Sequence, residues 1–308
     1  MNRPMVYVAL QQFCEFDGRP LELLLESGFT VRLNDLRRRL KAEEIPHLLE
    51  GAEAVLAGVE PYDAGTLASL PRLRCISRCG TGTESIDLEA AQRSRIAVLT
   101  TPEEVVEPVA QMTVAMIFGL ARNFSLHLAD FRTGLWQKRV GALLSEWTIG
   151  LVGFGRIGRA VERHLRPFEP RVLVVDPQVS PAQVPSGVTL GSLEQLLSES
   201  DLVSLHASRR PEEGFLLGRR ELSAMKPGSR LVNTTRGHLV DPTALYDLLV
   251  SGHLSAASLD VFEEEPFTGP LSRLPQVLCT PHVASLTRAS RFAMELRCAQ
   301  NVVEFFRG

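Results

Sequence analysis

The chain has 308 residues, 44% hydrophobic and 22% charged, a globular balance that excludes a disordered or fibrous protein. At roughly 100–200 residues per domain, that length accommodates two domains. A formal net charge of −3 supplies no global positive field for nucleic acid or anionic lipid, so neither is expected as a partner.

The first apolar run, Met5–Leu10, is too short for a secretory core and is expected to form a strand. No run approaches ~18 apolar residues free of charge, so no membrane association is expected. The five cysteines (Cys14, Cys75, Cys79, Cys279, Cys298) are odd in number and scattered. They point to buried structural thiols in a reducing, cytoplasmic setting. Cys75-x3-Cys79 and Cys279-Thr-Pro-His282 lack a second pair at ligand spacing, so no metal is expected.

Short β-rich runs alternate with helical patterns along the chain, the sequence form of parallel α/β sheets. Strands are predicted at Val6–Leu10, Phe29–Leu33, Ala54–Ala57, Leu73–Arg78 and Ile96–Thr100. Helices fall between them near Leu21–Ser27, Glu43–Glu50, Asp63–Leu70 and Leu88–Arg93. Pro102 introduces one long helix over about Glu103–Arg132, with Val105, Val109, Met112 and Met116 on an apolar face, as a connector between domains. Six strands follow: Thr148–Val152, Arg171–Asp176, Leu202–His206, Leu231–Thr235, Ala257–Val261 and Val277–Thr280. The helices among them begin near Arg156, Ser192, Arg219 and Pro242, and a last helix runs Ser285–Phe306. The basic clusters Arg37–Arg39, Arg209-Arg210 and Arg219-Arg220 are expected to be solvated faces.

Gly153-Phe154-Gly155-Arg156-Ile157-Gly158 follows an apolar strand and opens a helix, the context a dinucleotide-binding glycine loop requires. The glycines permit the tight turn, close approach of backbone to pyrophosphate, and helix–strand packing. The helix N-terminus offers free N–H groups to the phosphates. Asp176 closes the next strand, roughly 20 residues on, where a carboxylate accepts the ribose hydroxyls; it favours NAD over NADP. Pro177 and Gln178 supply no cation for a 2′-phosphate.

The loop, then Met225–Gly228, Leu231–Gly237, Leu259–Pro266 and Thr280–Ser285, together resemble the D-isomer-specific 2-hydroxyacid dehydrogenases. Upstream, Arg78-Cys-Gly80-Thr81-Gly82 with Ile86-Asp87 is similar to the substrate loop of that family's D-3-phosphoglycerate dehydrogenase branch. The resemblance implies a catalytic trio of Arg236, Glu265 and His282. It also implies that His206, Thr234, Thr235 and Asp260 face the cofactor, Asp260 near the nicotinamide amide. The chemistry suits these roles. Reduction of a 2-oxo acid builds negative charge on the carbonyl oxygen, which calls for a planar cation such as Arg236 and a proton donor such as His282. Glu265 behind the histidine would orient the ring and favour its protonated form. Amides of Gly80, Thr81 and Gly82 would cradle the substrate carboxylate, and Arg78 would hold a phosphate or other second charge.

Two segments depart from the family pattern. Val105 and Gln111 replace the usual Asn and Glu, with Glu103, Glu104 and Glu107 added, and Ala207-Ser-Arg-Arg-Pro211 with Glu212, Glu213 and Gly214 follows His206. The expectation is therefore an α/β protein of two doubly wound parallel-sheet domains. A Rossmann NAD-binding domain, 101–284, is inserted in a discontinuous flavodoxin-like substrate domain, 1–100 and 285–308, with substrate in the cleft. No C-terminal regulatory domain like that of some phosphoglycerate relatives is expected. The expected reaction is NAD-dependent oxidation or reduction of a small anionic 2-hydroxy or 2-oxo acid, by a homodimer. 3-Phosphohydroxypyruvate leads as substrate. Glyoxylate, hydroxypyruvate or a phosphonopyruvate-type acid is the alternative, as is a non-catalytic NAD-sensing regulator.

Overall fold

The computed structural model describes residues 3–209 and 211–308; Arg210 of the second basic cluster lies outside them. The chain divides into two compact units, Met1–Val105 with Leu286–Gly308, and Val106–Ser285.

In the first unit the strands are β1 (Met5–Val8), β2 (Thr30–Leu33), β3 (Ala54–Ala57), β4 (Cys75–Arg78) and β5 (Ala97–Leu99). All pair in parallel in the order β2-β1-β3-β4-β5, the flavodoxin-like arrangement. Helices α1 (Arg19–Glu26), α2 (Ile45–Leu48), α3 (Ala64–Ala68) and α4 (Leu88–Arg93) connect them. Central β3 is buried along its whole length, as a strand covered on both faces must be. Asp63 and Asp87 start α3 and α4 by accepting the amides of Thr66 and Ala90. The C-terminal helix, Arg288–Arg307, returns to this sheet with Cys298, Ala299 and Val302 wholly buried. Its Asn301 donates to Ser77 Oγ and the Thr100 carbonyl, both at 3.2 Å, which ties it to β4 and the exit of β5. It begins at Arg288, later than the sequence pattern suggests, because Thr287 caps it through the Ser290 amide.

The second unit opens with α5 (Val106–Ala121) and α6 (Phe124–Arg132). There follow β6 (Thr148–Val152), α7 (Arg156–Leu165), β7 (Arg171–Val175), β8 (Val188–Leu190), α8 (Leu193–Glu199) and β9 (Leu202–Leu205). Then come α9 (Arg219–Ser223), β10 (Arg230–Asn233), α10 (Pro242–Val250), β11 (Ala256–Leu259) and β12 (Val277–Cys279). The sheet is parallel, in the order β12-β11-β10-β9-β6-β7-β8. Strand order reverses between β6 and β9, so a crevice opens beyond their carboxyl ends. At Gly150 in β6 a Cβ would come within 2.5 Å of the Leu196 side chain and Ser200 Oγ, which shows how closely α8 packs on the strand.

Two expectations need correction here. The long helix over about 103–132 is two helices bent by 63°, broken at Asn123, which takes a left-handed φ of 53° that asparagine tolerates. The sheet has seven strands where the pattern gave six; β8 is a partly exposed edge of three residues, too short to register as an apolar run. Among the described residues no single helix is long and apolar enough to cross a membrane. Helix α5 instead buries Ala110, Met116, Ile117 and Leu120 in the core of its own unit.

Candidate active site

The glycine loop follows β6. Gly153 has φ 97°, and a Cβ there would lie 2.5 Å from Ala207 N and His206 C, so the exit of β9 passes directly against it. A Cβ on Gly158 would press on the Gly153 carbonyl oxygen, whereas one on Gly155 would meet nothing within 4 Å. The loop is thus packed behind and open in front. No side chain caps the N-terminus of α7, so its first amides face that opening. Asp176 Oδ2 accepts Phe154 N at 2.8 Å and Oδ1 accepts Gln178 N at 2.9 Å, which holds the carboxylate beside the loop. Phe154 offers only its backbone, because the ring is wholly buried beneath the Arg159 guanidinium. Arg156 is exposed at the start of α7, and Ile157 packs partly into the core.

His206, Thr234 and Thr235 lie at the carboxyl ends of β9 and β10. His206 Nε2 is 3.0 Å from Ser204 Oγ. Its Nδ1 has neither solvent nor a partner among the described residues, and burial pushes the imidazole down to about 3. The hydroxyl of Thr234 pairs with Thr113 at 2.9 Å, and both the hydroxyl and the amide of Thr235 donate to Asn233 Oδ1. Asn233, which the sequence patterns did not single out, also donates to the Arg236 carbonyl at 2.8 Å and so shapes the turn that carries that arginine. An unpartnered buried ring nitrogen, uncapped helix amides and an open glycine face suit a dinucleotide laid across the strand ends.

Arg236 is half-buried in extended backbone, and its Nη1 donates to the Thr235 carbonyl at 2.7 Å. A Cβ on Gly237 would overlap the backbone of Phe262 and Glu263, so this turn rests on the segment leading to Glu265. Glu265 Oε1 accepts the Phe262 amide at 3.1 Å, and Oε2 lies 2.8 Å from His282 Nδ1. A carboxylate can only accept, so Nδ1 carries the proton of that bond and Nε2 is the nitrogen left for a reacting group. The His282 side chain is 48% exposed and that of Glu265 37%, an accessible pair.

His282 has φ 54°, an uncommon conformation for a residue with a side chain. The cause is Asp260, whose side chain is wholly buried. Its Oδ1 accepts Thr280 Oγ1 at 2.5 Å and Val283 N at 2.9 Å, and its Oδ2 accepts Ala284 N at 2.9 Å. Its carbonyl takes His282 N at 2.8 Å. One carboxylate therefore organises the whole turn from 280 to 284, a task that the sequence patterns do not announce.

In the other unit, β4 ends at Arg78. The Arg78 guanidinium folds back on its own loop, donating from Nε to Gly82 O at 3.1 Å and from Nη1 to Cys79 O. Gly80 has φ 135°, and its amide is engaged by Thr101 Oγ1 at 2.8 Å. Of the three amides expected to cradle an anion, those of Thr81 and Gly82 have no protein acceptor among the described residues. All five cysteines are free thiols; Cys75, Cys79 and Cys298 are buried, whereas Cys14 and Cys279 are only half-buried.

The family model for the NAD-binding domain of the D-isomer specific 2-hydroxyacid dehydrogenases matches residues 114–284. The chain belongs to that family. The D-3-phosphoglycerate dehydrogenase of Mycobacterium tuberculosis is 37% identical over 241 residues, 77% of this chain but 46% of the relative. The chain thus spans about half the length of the phosphoglycerate dehydrogenases it matches. The glyoxylate reductase of Pyrococcus furiosus is 33% identical over 297 residues, covering 92% of this chain and 88% of the relative. Among solved structures, the TT0316 protein of Thermus thermophilus matches with a TM-score of 0.88 at 36% identity, over 99% of this chain and 97% of that one. The D-2-hydroxyacid dehydrogenase fold, two parallel-sheet α/β domains with a Rossmann NAD-binding domain, is therefore the fold of this chain.

Proposed function

We propose that the protein is an NAD-dependent D-2-hydroxyacid dehydrogenase, and the hydrogen-bonded Glu265–His282 pair carries this reading. Residues 153–158 and Asp176 would hold the dinucleotide, with 101–284 as the cofactor domain and 1–100 with 285–308 as the substrate domain. Bound there, NADH would supply the hydride that reduces the carbonyl carbon of the 2-oxo acid. Arg236 orients the substrate carboxylate and neighbouring carbonyl oxygen by a planar, two-pronged contact. His282 Nε2 delivers a proton to the new alkoxide, or takes one in the oxidation direction. Glu265 fixes the ring and balances its charge when both nitrogens are protonated.

For the substrate, Arg78 supports a small acid. Its Nε and Nη1 brace the loop's own carbonyl oxygens, which favours glyoxylate or hydroxypyruvate over 3-phosphohydroxypyruvate. A homodimer is supported by the apolar surface on and after α6, where Phe131, Trp136, Val140 and Leu143 are all exposed. Light scattering after size exclusion would return twice the chain mass. Five free thiols suit a reducing cytoplasm.

The test is NADH oxidation with glyoxylate, hydroxypyruvate and 3-phosphohydroxypyruvate. Arg236→Ala and His282→Ala should each lose turnover, by ~10²–10⁴ for the histidine, while still binding NADH. Binding of NADH with no oxidation of any oxo acid would favour a nucleotide sensor instead. A preference for the phosphorylated acid that disappears in Arg78→Gln would restore phosphohydroxypyruvate as the substrate.

A further inference from the structure

Behind the segment that presents Glu265, the larger unit contains a cavity of about 410 Å³, within the range that holds small organic ligands. Its floor is core: Leu245, Leu259 and Leu271 line it and are almost wholly buried. One wall is the stacked pair Phe262–Phe267, with ring centroids 4.2 Å apart and planes within 9°. Glu263 and Glu264 also line it, and both residues are exposed. An apolar floor, a flat aromatic wall and acids at the mouth are complementary to one chemistry, a compact aromatic group bearing an ammonium.

The cavity flanks the candidate catalytic residues without containing them. Its lining includes Gly237, next to Arg236, and both Glu264 and Pro266, on either side of Glu265. Phe262 links the two places directly: it lines the cavity, its ring stacks on Phe267, and its amide donates to Glu265 Oε1 at 3.1 Å. Its carbonyl carbon is also the backbone against which Gly237 is packed. A ligand that shifts Phe262 therefore moves the carboxylate that holds His282 and the turn that carries Arg236.

We propose that this cavity is a regulatory site for an aromatic amine, acting through Phe262 on the Glu265–His282 pair. The regulatory part rests on the dehydrogenase reading above; the binding part does not. Isothermal titration of the intact protein with tryptamine, indole and indole-3-acetate tests binding by charge on a constant ring. Tryptamine should bind about tenfold more tightly than indole-3-acetate, and the double variant Glu263→Gln, Glu264→Gln should erase most of that ratio. Thr243→Trp, which fills the mouth from the exposed start of α10, should abolish binding. Absence of saturable tryptamine binding, equal affinity for both charges, or undiminished binding in Thr243→Trp would each overturn the site.

In turnover with glyoxylate and NADH, saturating tryptamine should lower kcat in the native protein and leave Thr243→Trp unaffected. Binding with no change in kcat overturns the coupling. Absence of turnover with every oxo acid, tryptamine or not, counts against the dehydrogenase reading, and the titration still decides the site.

Discussion

Replacing Asp260 by asparagine is the sharpest test of how the candidate site is held together. The wild-type carboxylate is wholly buried and accepts three donors: Thr280 Oγ1 and Val283 N at Oδ1, and Ala284 N at Oδ2. Asparagine keeps one acceptor oxygen. Its best placement leaves that oxygen at Oδ1, where two donors converge, and sets an NH₂ group against the Ala284 amide. One hydrogen bond to a charged group is lost, roughly 1.5–3 kcal/mol, and a buried amide is left facing another donor. The remaining bonds must then hold His282 at φ 54°, a conformation that costs about 1–2 kcal/mol for a residue with a Cβ. A loss of about 1.5–3 kcal/mol lowers the melting temperature by roughly 3–12 °C for a unit of this size. The turn should relax and carry His282 off Glu265. Thermal unfolding followed by circular dichroism measures the first effect, and kcat for reduction of an oxo acid the second, with NADH affinity as the control. Asp260→Asn should lower both melting temperature and kcat, and a loss of NADH affinity beside them would mark Asp260 as a cofactor contact as well. A variant that melts like the native protein refutes the energetic argument. One that melts early yet keeps its kcat shows that this turn does not position His282.

The glycine loop offers a contrast in which geometry separates folding from binding. Gly155→Ala meets nothing within 4 Å and should melt like the native protein while NADH, followed by fluorescence titration, binds at least about tenfold more weakly; Gly153→Ala, with φ 97° and backbone 2.5 Å from its Cβ, should lose both. Asp176→Ala should reduce the preference for NADH over NADPH by about tenfold or more in the ratio of kcat/KM, because the carboxylate that repels a 2′-phosphate is gone. Burial holds His206 neutral down to about 3, whereas the free imidazole takes its proton near 6.5. Between those pH values the unfolded chain binds up to one proton more, so stability falls as pH falls, by up to ~1.4 kcal/mol per pH unit. Urea unfolding at pH 4 to 7 should show a shallower acid loss for His206→Gln, and an identical slope would remove the buried neutral histidine.

What the sequence made legible was local. A β-rich run bounded by turn residues, or a glycine loop between strand and helix, is complete within a dozen residues, and most strands lie within a residue or two of their predicted places. The break at Asn123 was not legible, because asparagine enters the left-handed region without a proline or glycine to mark it. Site residues divide along the same line. Residue type shows what Arg78, Gly80 and Asp260 are able to do, a cation, an amide and an acceptor. Whether each group is already engaged depends on bonds that no pattern encodes: Arg78 on Gly82, the Gly80 amide on Thr101, and Asp260 on residues more than 20 positions away. A charged group already bonded within the protein must lose those bonds before it can bind a ligand, so these contacts weigh on the choice of substrate. The arginine that suggested a phosphorylated substrate is the one whose donors brace its own loop. Asp260, expected beside the cofactor, also holds the turn on which His282 stands.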